Sequence, residues 1–365
     1  MIEFIPLENY YIVFLYSAFA IALFTLLHAF LLDINEKKNI SYINFTGYLI
    51  LFFLTIYMGL RPISEKYFVD MKTYSEIYNH YALGGEITIK ADIYFHLFMK
   101  ICSSFLSVHG FFLMCEIIYI VPLYFVSKKY FSKYWFYAFF MFIVSFSFWT
   151  YGVNGIRNGM ATSLVLLAIS LKDKKALMIL FFVLSCLFHQ TMLLPIGAFV
   201  LTLFVNNSKW YIRGWLLAIP LSIALGSFWE NLFASLGFAD DRLSGYLTGE
   251  KDEAFANAGF RYDFLFYSSF AVIIGAYFIF IKKYKDPIFI QLFNIYLITN
   301  AFWILIIRAN FSNRFAYLSW FLMPLVIVYP FLKERFFKKQ HVVIGKVLFF
   351  YYLFTYFMFL YYNYR

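Results

Sequence analysis

Charge is scarce in this chain, and so is every residue type that staples or ligates a small domain. Only 14% of its 365 residues are charged, and no stretch is polar enough to form a separate soluble domain. Three cysteines, Cys102, Cys115 and Cys186, all lie in apolar runs. This excludes a disulfide framework and leaves them as packing residues. The six histidines are scattered, none at metal-ligand spacing, so no metal and no cofactor is expected. The net charge of +10 does not point to nucleic acid, because the positive charge is cut into short lysine runs between apolar stretches. Cytoplasmic loops of membrane proteins look like that. Internal repeats and low-complexity tracts are absent. The opening MIEFIPLENY is acidic and runs straight into a full-length apolar stretch, unlike the basic start and short core of a cleavable signal peptide.

What is abundant is apolar and aromatic: 63% of the residues are hydrophobic, and Phe, Trp and Tyr together make up 25%. Apolar runs fall roughly at 10–32, 42–60, 109–127, 134–152, 154–171, 175–189, 191–205, 211–229, 264–281, 287–307, 315–332 and 344–361. Most approach the roughly 20 residues needed to cross a bilayer core about 30 Å thick. The expectation is an all-α, polytopic integral membrane protein of about twelve helices, one multi-pass domain over 1–365. NEKK (35–38), SKKYFSK (127–133), KDKK (172–175), NNSKWYIR (206–213), KKYK (282–285) and KERFFKKQH (333–341) alternate onto one face and hold most of the lysines. That face is expected to be cytoplasmic. Segment 93–107 is read as a half-helix at the outer interface, since a full span there would put SKKYFSK outside. Two outer connections are long, about 61–108 and 230–263, and are expected to carry short amphipathic helices. The many tyrosines read chiefly as an aromatic belt at headgroup level.

Arginine breaks the positive-inside pattern. Of nine arginines, Arg61, Arg157, Arg242, Arg261, Arg308, Arg314 and Arg365 fall on the expected outer side. A cation at membrane depth costs several kcal/mol unless it is paired or snorkels. Arg308 and Arg314 lie six residues apart, and no acid occurs from Gln291 to Pro330. An anion between them is the purely physical reading, and guanidinium grips phosphate bidentately. Arg157 lies within YGVNGIRNGMA, where Gly152, Gly155 and Gly159 permit close helix approach. It either snorkels, pairs with a carboxylate or holds a phosphate.

After Arg61, residues Ile63, Tyr67, Met71, Tyr74, Tyr78 and Tyr81 recur at helical spacing. The spacing predicts an amphipathic helix over about 62–81 along the membrane surface. Asp70 falls on its aromatic stripe, where a carboxylate needs a partner or a chemical role. It could form a salt bridge to an arginine, bind a sugar hydroxyl or act as a base. His189, at the outer end of one span, is either a satisfied core residue or a proton acceptor suited to neutral pH. The loop around 230–263 carries Asp240, Asp241, Glu250, Asp252, Glu253, Arg261 and Asp263 among aromatics. It reads equally as a sugar-recognition surface or as a solvated acidic loop.

Taken in order, these patches resemble the EpsG-type family of bacterial membrane polysaccharide polymerases, a branch of the Wzy-like group. The resemblance rests on Arg61 with Asp70, Tyr74 and Tyr78; on Ile156, Arg157 and Ala161; on Phe188, His189 and Gln190; and on Arg314 before Tyr317, over roughly 45–335. The family usually has a glycine two residues before its aspartate, where Phe68 stands here. The resemblance implies a GT-C-like glycosyltransferase in the bacterial plasma (inner) membrane, acting on its periplasmic or exterior face. Its donor and acceptor would be undecaprenyl-pyrophosphate-linked oligosaccharides, polymerised into O-antigen, lipopolysaccharide or exopolysaccharide without metal or nucleotide. Membrane lipid and a chain-length regulator are the other partners this implies. His189 and Asp70 would be catalytic. Arg61, Arg157, Arg314, Tyr74, Tyr78 and Tyr317 would bind pyrophosphate or substrate, and the charge pattern of the chain itself adds Arg308 and Arg261. A ligase with the same donor and a flippase for lipid-linked sugars are the competing readings.

Overall fold

The computed structural model describes residues 4–89, 92–235, 259–309 and 312–363, with side chains omitted at 234–235. Asp240, Asp241, Arg242, the acids at 250–253 and Arg365 lie outside the described residues. Those residues are all-helical, without strands. Among the described residues, eight helical stretches are long and apolar enough to cross a membrane, and they mark this as a membrane protein. The shorter apolar helices include Ile93–Ser103, Ile156–Ser170 and Lys175–Phe188. At 1.5 Å per residue, the longest of these three reaches only about 23 Å.

By contact the chain divides into two units, 1–190 with 331–365, and 191–330. In the first, α1 (Tyr10–Leu31) packs against the last helix, Gln340–Asn363. Their backbones meet at Gly345, where a Cβ would stand 2.8 Å from the Ala29 side chain. Next come α2 (Lys37–Gly59), α3 (Val69–Ala82), α4 (Ile93–Ser103), α5 (Val108–Phe131), α6 (Trp135–Ile143), α7 (Phe148–Val153), α8 (Ile156–Ser170) and α9 (Lys175–Phe188). Helix α5 is the hub, packed on α2, α6 and α8. Helix α6 is apolar on every side and buried at every position, as a helix without a polar face must be.

Helix α3 starts at Val69, not near Pro62. Two anchors hold residues 61–68 off the helical path. Arg61 is buried completely, and Phe68 is 2% exposed with φ −134° and ψ 64°. Pro62 also disfavours a helical conformation at Arg61, which ends α2. Since Phe68 has negative φ, the backbone there does not need glycine's freedom. The predicted stripe is present from Met71 through Tyr74, Tyr78 and Tyr81, all buried. Its cover is protein: Tyr78 donates to the Leu106 carbonyl at 2.7 Å and packs on Phe111, and Tyr74 packs on Phe95. The half-helix expected at 93–107 is α4, only 11 residues long.

The second unit contains α10 (Leu193–Phe204), α11 (Ser208–Ser235), α12 (Tyr262–Ala276, continued by a π-helical turn to Ile281), α13 (Pro287–Leu305) and α14 (Ser312–Trp320). Asp286 caps α13 through the Ile288 and Phe289 amides, with Pro287 at the first helical position, a strong start signal. Inside the unit, Asn300 receives the Trp215 indole at 2.7 Å and donates to Ser268 and Ser319. Trp320 donates to the same Ser268 hydroxyl at 2.7 Å. A buried polar network with its members paired fixes one packing arrangement.

Candidate functional site

Two charged centres lie in the first unit, both built on the break between α7 and α8. At the first, Arg61 donates from Nη1 to Glu116 Oε1 at 2.8 Å and to the Met58 carbonyl. Its Nη2 donates to the Gly152 carbonyl at 3.1 Å, and Phe68 covers the guanidinium. Both side chains are shut away from solvent. Gly152 packs closely here: a Cβ would displace the Met58 methyl group and stand 3.2 Å from Glu116 Oε2. Tyr119, one turn beyond Glu116, donates to the Phe148 carbonyl at 3.0 Å. Helix α5 thus holds the start of α7 directly and its end through Arg61.

At the second centre, Arg157 sits in the first turn of α8 and is ion-paired with Asp92. The rings of Tyr74 and Phe95 each lie 5.8 Å from its guanidinium carbon. Tyr74 also hydrogen-bonds Arg157, and Asp70 acts on both through its charge. Burial pushes the Tyr74 hydroxyl up to about 12, against the opposing pull of Arg157, so Tyr74 is a proton donor at neutral pH. Asp92 has φ 50° and ψ 40°, in the left-handed region, where few residues with a Cβ sit. Gly159, on the next turn of α8, faces the Tyr151 carbonyl so closely that a Cβ would stand 2.8 Å away.

His189 caps the end of α9 and is half-buried. Its neighbour Phe188 packs edge-on against Phe95 and Phe98 of α4, with centroids 6.4 and 5.5 Å apart. The Phe95 ring is shared with Arg157. Tyr78 sits further along α3, tied to the α4–α5 turn. An apolar cleft of about 340 Å³ lies between α1 and α2, lined among others by Phe14, Ile21, Ile50, Phe53 and Tyr57.

In the second unit, Arg261 is paired at 2.9 and 2.6 Å with Asp263 and lies over Phe264. Arg308 donates to the Ile223 carbonyl at 3.4 Å, and its aliphatic stem lies against Gly226. This is beside the kink at Leu225 in α11. Arg314 is exposed on α14, while Tyr317 is buried beside Trp320.

Asp70, Tyr74 and Arg157 are therefore brought together, and Arg61 forms a separate, enclosed centre. Two residues escaped the sequence reading. Glu116 is the lone acid between Ile93 and Ser170, and a lone acid inside an apolar run is itself a signal. Asp92 carried no such signal, since only the fold brings it to Arg157 across 65 residues. Among the described residues no group of three or more His, Cys, Asp or Glu is placed to hold a metal.

The EpsG family model matches residues 48–365, and the chain belongs to that family. No curated protein and no solved structure matches it.

Proposed function

We propose that this member of the EpsG family is a polysaccharide polymerase that joins polyprenyl-pyrophosphate-linked repeat units, a GT-C-like enzyme of about twelve membrane segments working at the outer leaflet of the bacterial plasma membrane. The observation that carries the reading is the family match, whose span contains every candidate residue. In the reaction, the acceptor sugar's hydroxyl oxygen bonds to the donor's anomeric carbon. The bond from that carbon to the pyrophosphate oxygen breaks, its electron pair leaves with the pyrophosphate, and the hydroxyl proton passes to a base.

Arg157 is the proposed pyrophosphate ligand. It has a planar fork of donors, sits in the first turn of a helix whose N-terminal amides favour anions, and is close to a protonated Tyr74. Fixed donors aimed at a developing anion are how a protein stabilises such a leaving group. His189 and Asp70 are the candidate bases. Arg261, Arg308, Arg314, Tyr78 and Tyr317 are candidate contacts to phosphate or sugar. Arg61 is assigned to holding the break before α8, because it is closed to solvent and its two terminal nitrogens are engaged by Glu116 and two carbonyls. The cleft between α1 and α2 suits an isoprenoid tail.

The test is the glycan of a deletion strain. One repeat unit on the carrier is the expected result. Full-length polymer stranded on the carrier would identify a ligase, and repeats trapped in the inner leaflet a flippase. Reintroduced Arg157→Ala should restore protein but no polymer.

A further inference from the structure

We propose that Asp92 is an exchangeable counter-ion: its carboxylate holds Arg157 while the site is empty, yields it to the donor pyrophosphate, and takes it back as the polyprenyl pyrophosphate leaves. This rests on the reading of Arg157 as the pyrophosphate ligand. Asp92 is a positioning residue here, acting on the lipid only through the guanidinium.

Three observations point the same way. First, a bidentate grip through both terminal nitrogens uses Nη1, and Asp92 Oδ2 is bonded to Nη1. Ligand and carboxylate would therefore meet at the same nitrogen, where two anions repel. Second, the pair is buried but not sealed: the Arg157 side chain is 15% exposed and that of Asp92 5%. The Arg61–Glu116 pair, by contrast, is at 0% and 2%. Third, Asp92 holds a left-handed backbone at the entry to α4. Aspartate is among the few residues with a Cβ that adopt this backbone, so the turn persists when the carboxylate lets go of Arg157.

Arg157 keeps its place during the exchange. Tyr74, Phe95 and the charge of Asp70 hold it from the α3 and α4 side, so the guanidinium need not move when its partner changes. The consequence is a reduced affinity for everything that carries pyrophosphate, product included. A carboxylate that returns to the guanidinium speeds departure of a spent carrier that would otherwise bind as tightly as the donor. A charge-assisted hydrogen bond is worth roughly ten- to a hundredfold in affinity.

The experiment measures binding of undecaprenyl pyrophosphate to the purified full chain in detergent, alongside single-turnover and steady-state polymerisation. Asp92→Asn is the main variant, because asparagine tolerates the left-handed backbone. Asp92→Gly, which adopts that backbone freely, is the second. Expected is binding at least about tenfold tighter in both variants. The first turnover should stay near the wild-type rate, with steady-state turnover lowered because release has become limiting. Unchanged or weaker binding, or loss of the first turnover, overturns the proposal. So does failure of both variants to fold, which would make the pair a permanent structural bond. The underlying reading fails separately if the wild type binds no undecaprenyl pyrophosphate, or if Arg157→Ala binds it equally well.

Discussion

Glu116→Gln removes the charge that answers Arg61 and changes little else in shape. The two side chains meet at 2.8 Å in a place closed to solvent. At that separation and an effective dielectric of about 20, the lost attraction is at most about 6 kcal/mol. The carbonyls of Met58 and Gly152 continue to accept from the guanidinium and soften the loss. Removing one member of a buried pair costs about 3–5 kcal/mol by mutational experience, and that is the expected size here. The loss should appear as a clear fall in Tm of the purified protein in detergent. A double-mutant cycle gives the sharper test. Arg61→Met with Glu116→Leu removes both charges and should recover a large part of the stability, because no ion is then left unpaired. It should not recover polymerisation, since the Gly152 carbonyl loses the donor that holds the break before α8. A Glu116→Gln protein as stable as wild type would refute the assignment of Arg61 and Glu116 as a structural pair, as would a double variant less stable than either single one.

Gly159→Ala should destabilise by about 1–3 kcal/mol, because the obstacle is the Tyr151 backbone carbonyl at 2.8 Å; a thermal melt checks this, and an unchanged Tm would mean that α8 shifts freely. Arg157→Lys should restore little of the polymer lost in Arg157→Ala, since a point charge cannot make a two-pronged contact; full activity would count against bidentate binding, and surface glycan on a gel reads it. Asp70→Asn keeps the side chain's shape beside Tyr74 and Arg157 but removes its charge, and normal polymerisation by this variant would exclude Asp70 as base and as an essential partner. His189→Gln should lose at least about a hundredfold in rate across pH if the ring takes the acceptor's proton; near-normal turnover in vitro would leave His189 as a packing residue and put Asp70 first. Alkaline pH should weaken the fold through Tyr74: its hydroxyl ionises near 10 in an unfolded chain and near 12 in place, so its effect is level below pH 10 and destabilising from 10 to 12, visible as a falling Tm.

Composition and periodicity carried the broad class, because a bilayer imposes its demand on nearly every residue: apolar runs of spanning length with lysine between them leave few other folds. The tyrosine stripe of α3 was legible for the same reason, since a period of 3.6 is written in consecutive residues. The helix start was not, because two residues seven apart, Arg61 and Phe68, are pulled into the core by partners distant in sequence. The segments at 154–171 and 175–189 read as spans by apolarity, yet their helices stop at 15 and 14 residues, as the breaks at Gly155, Lys172–Lys174 and His189 allow.

At the candidate site, the chain's own pattern marked which residues were out of place. Arg157 at a span's start, Asp70 on an aromatic stripe and Arg61 after α2 each carry an energetic cost that local sequence does not repay. How each cost is met depends on the fold. Arg61 is answered by Glu116 from α5, and Arg157 by Asp92 from the entry to α4, with Asp70 and Tyr74 from α3 beside it. One arginine is thereby enclosed and the other left partly open to solvent. The penalty for a charge in an apolar setting is a property of one residue and its neighbours in the chain. Its compensation is a distance between residues that the chain brings together only when folded.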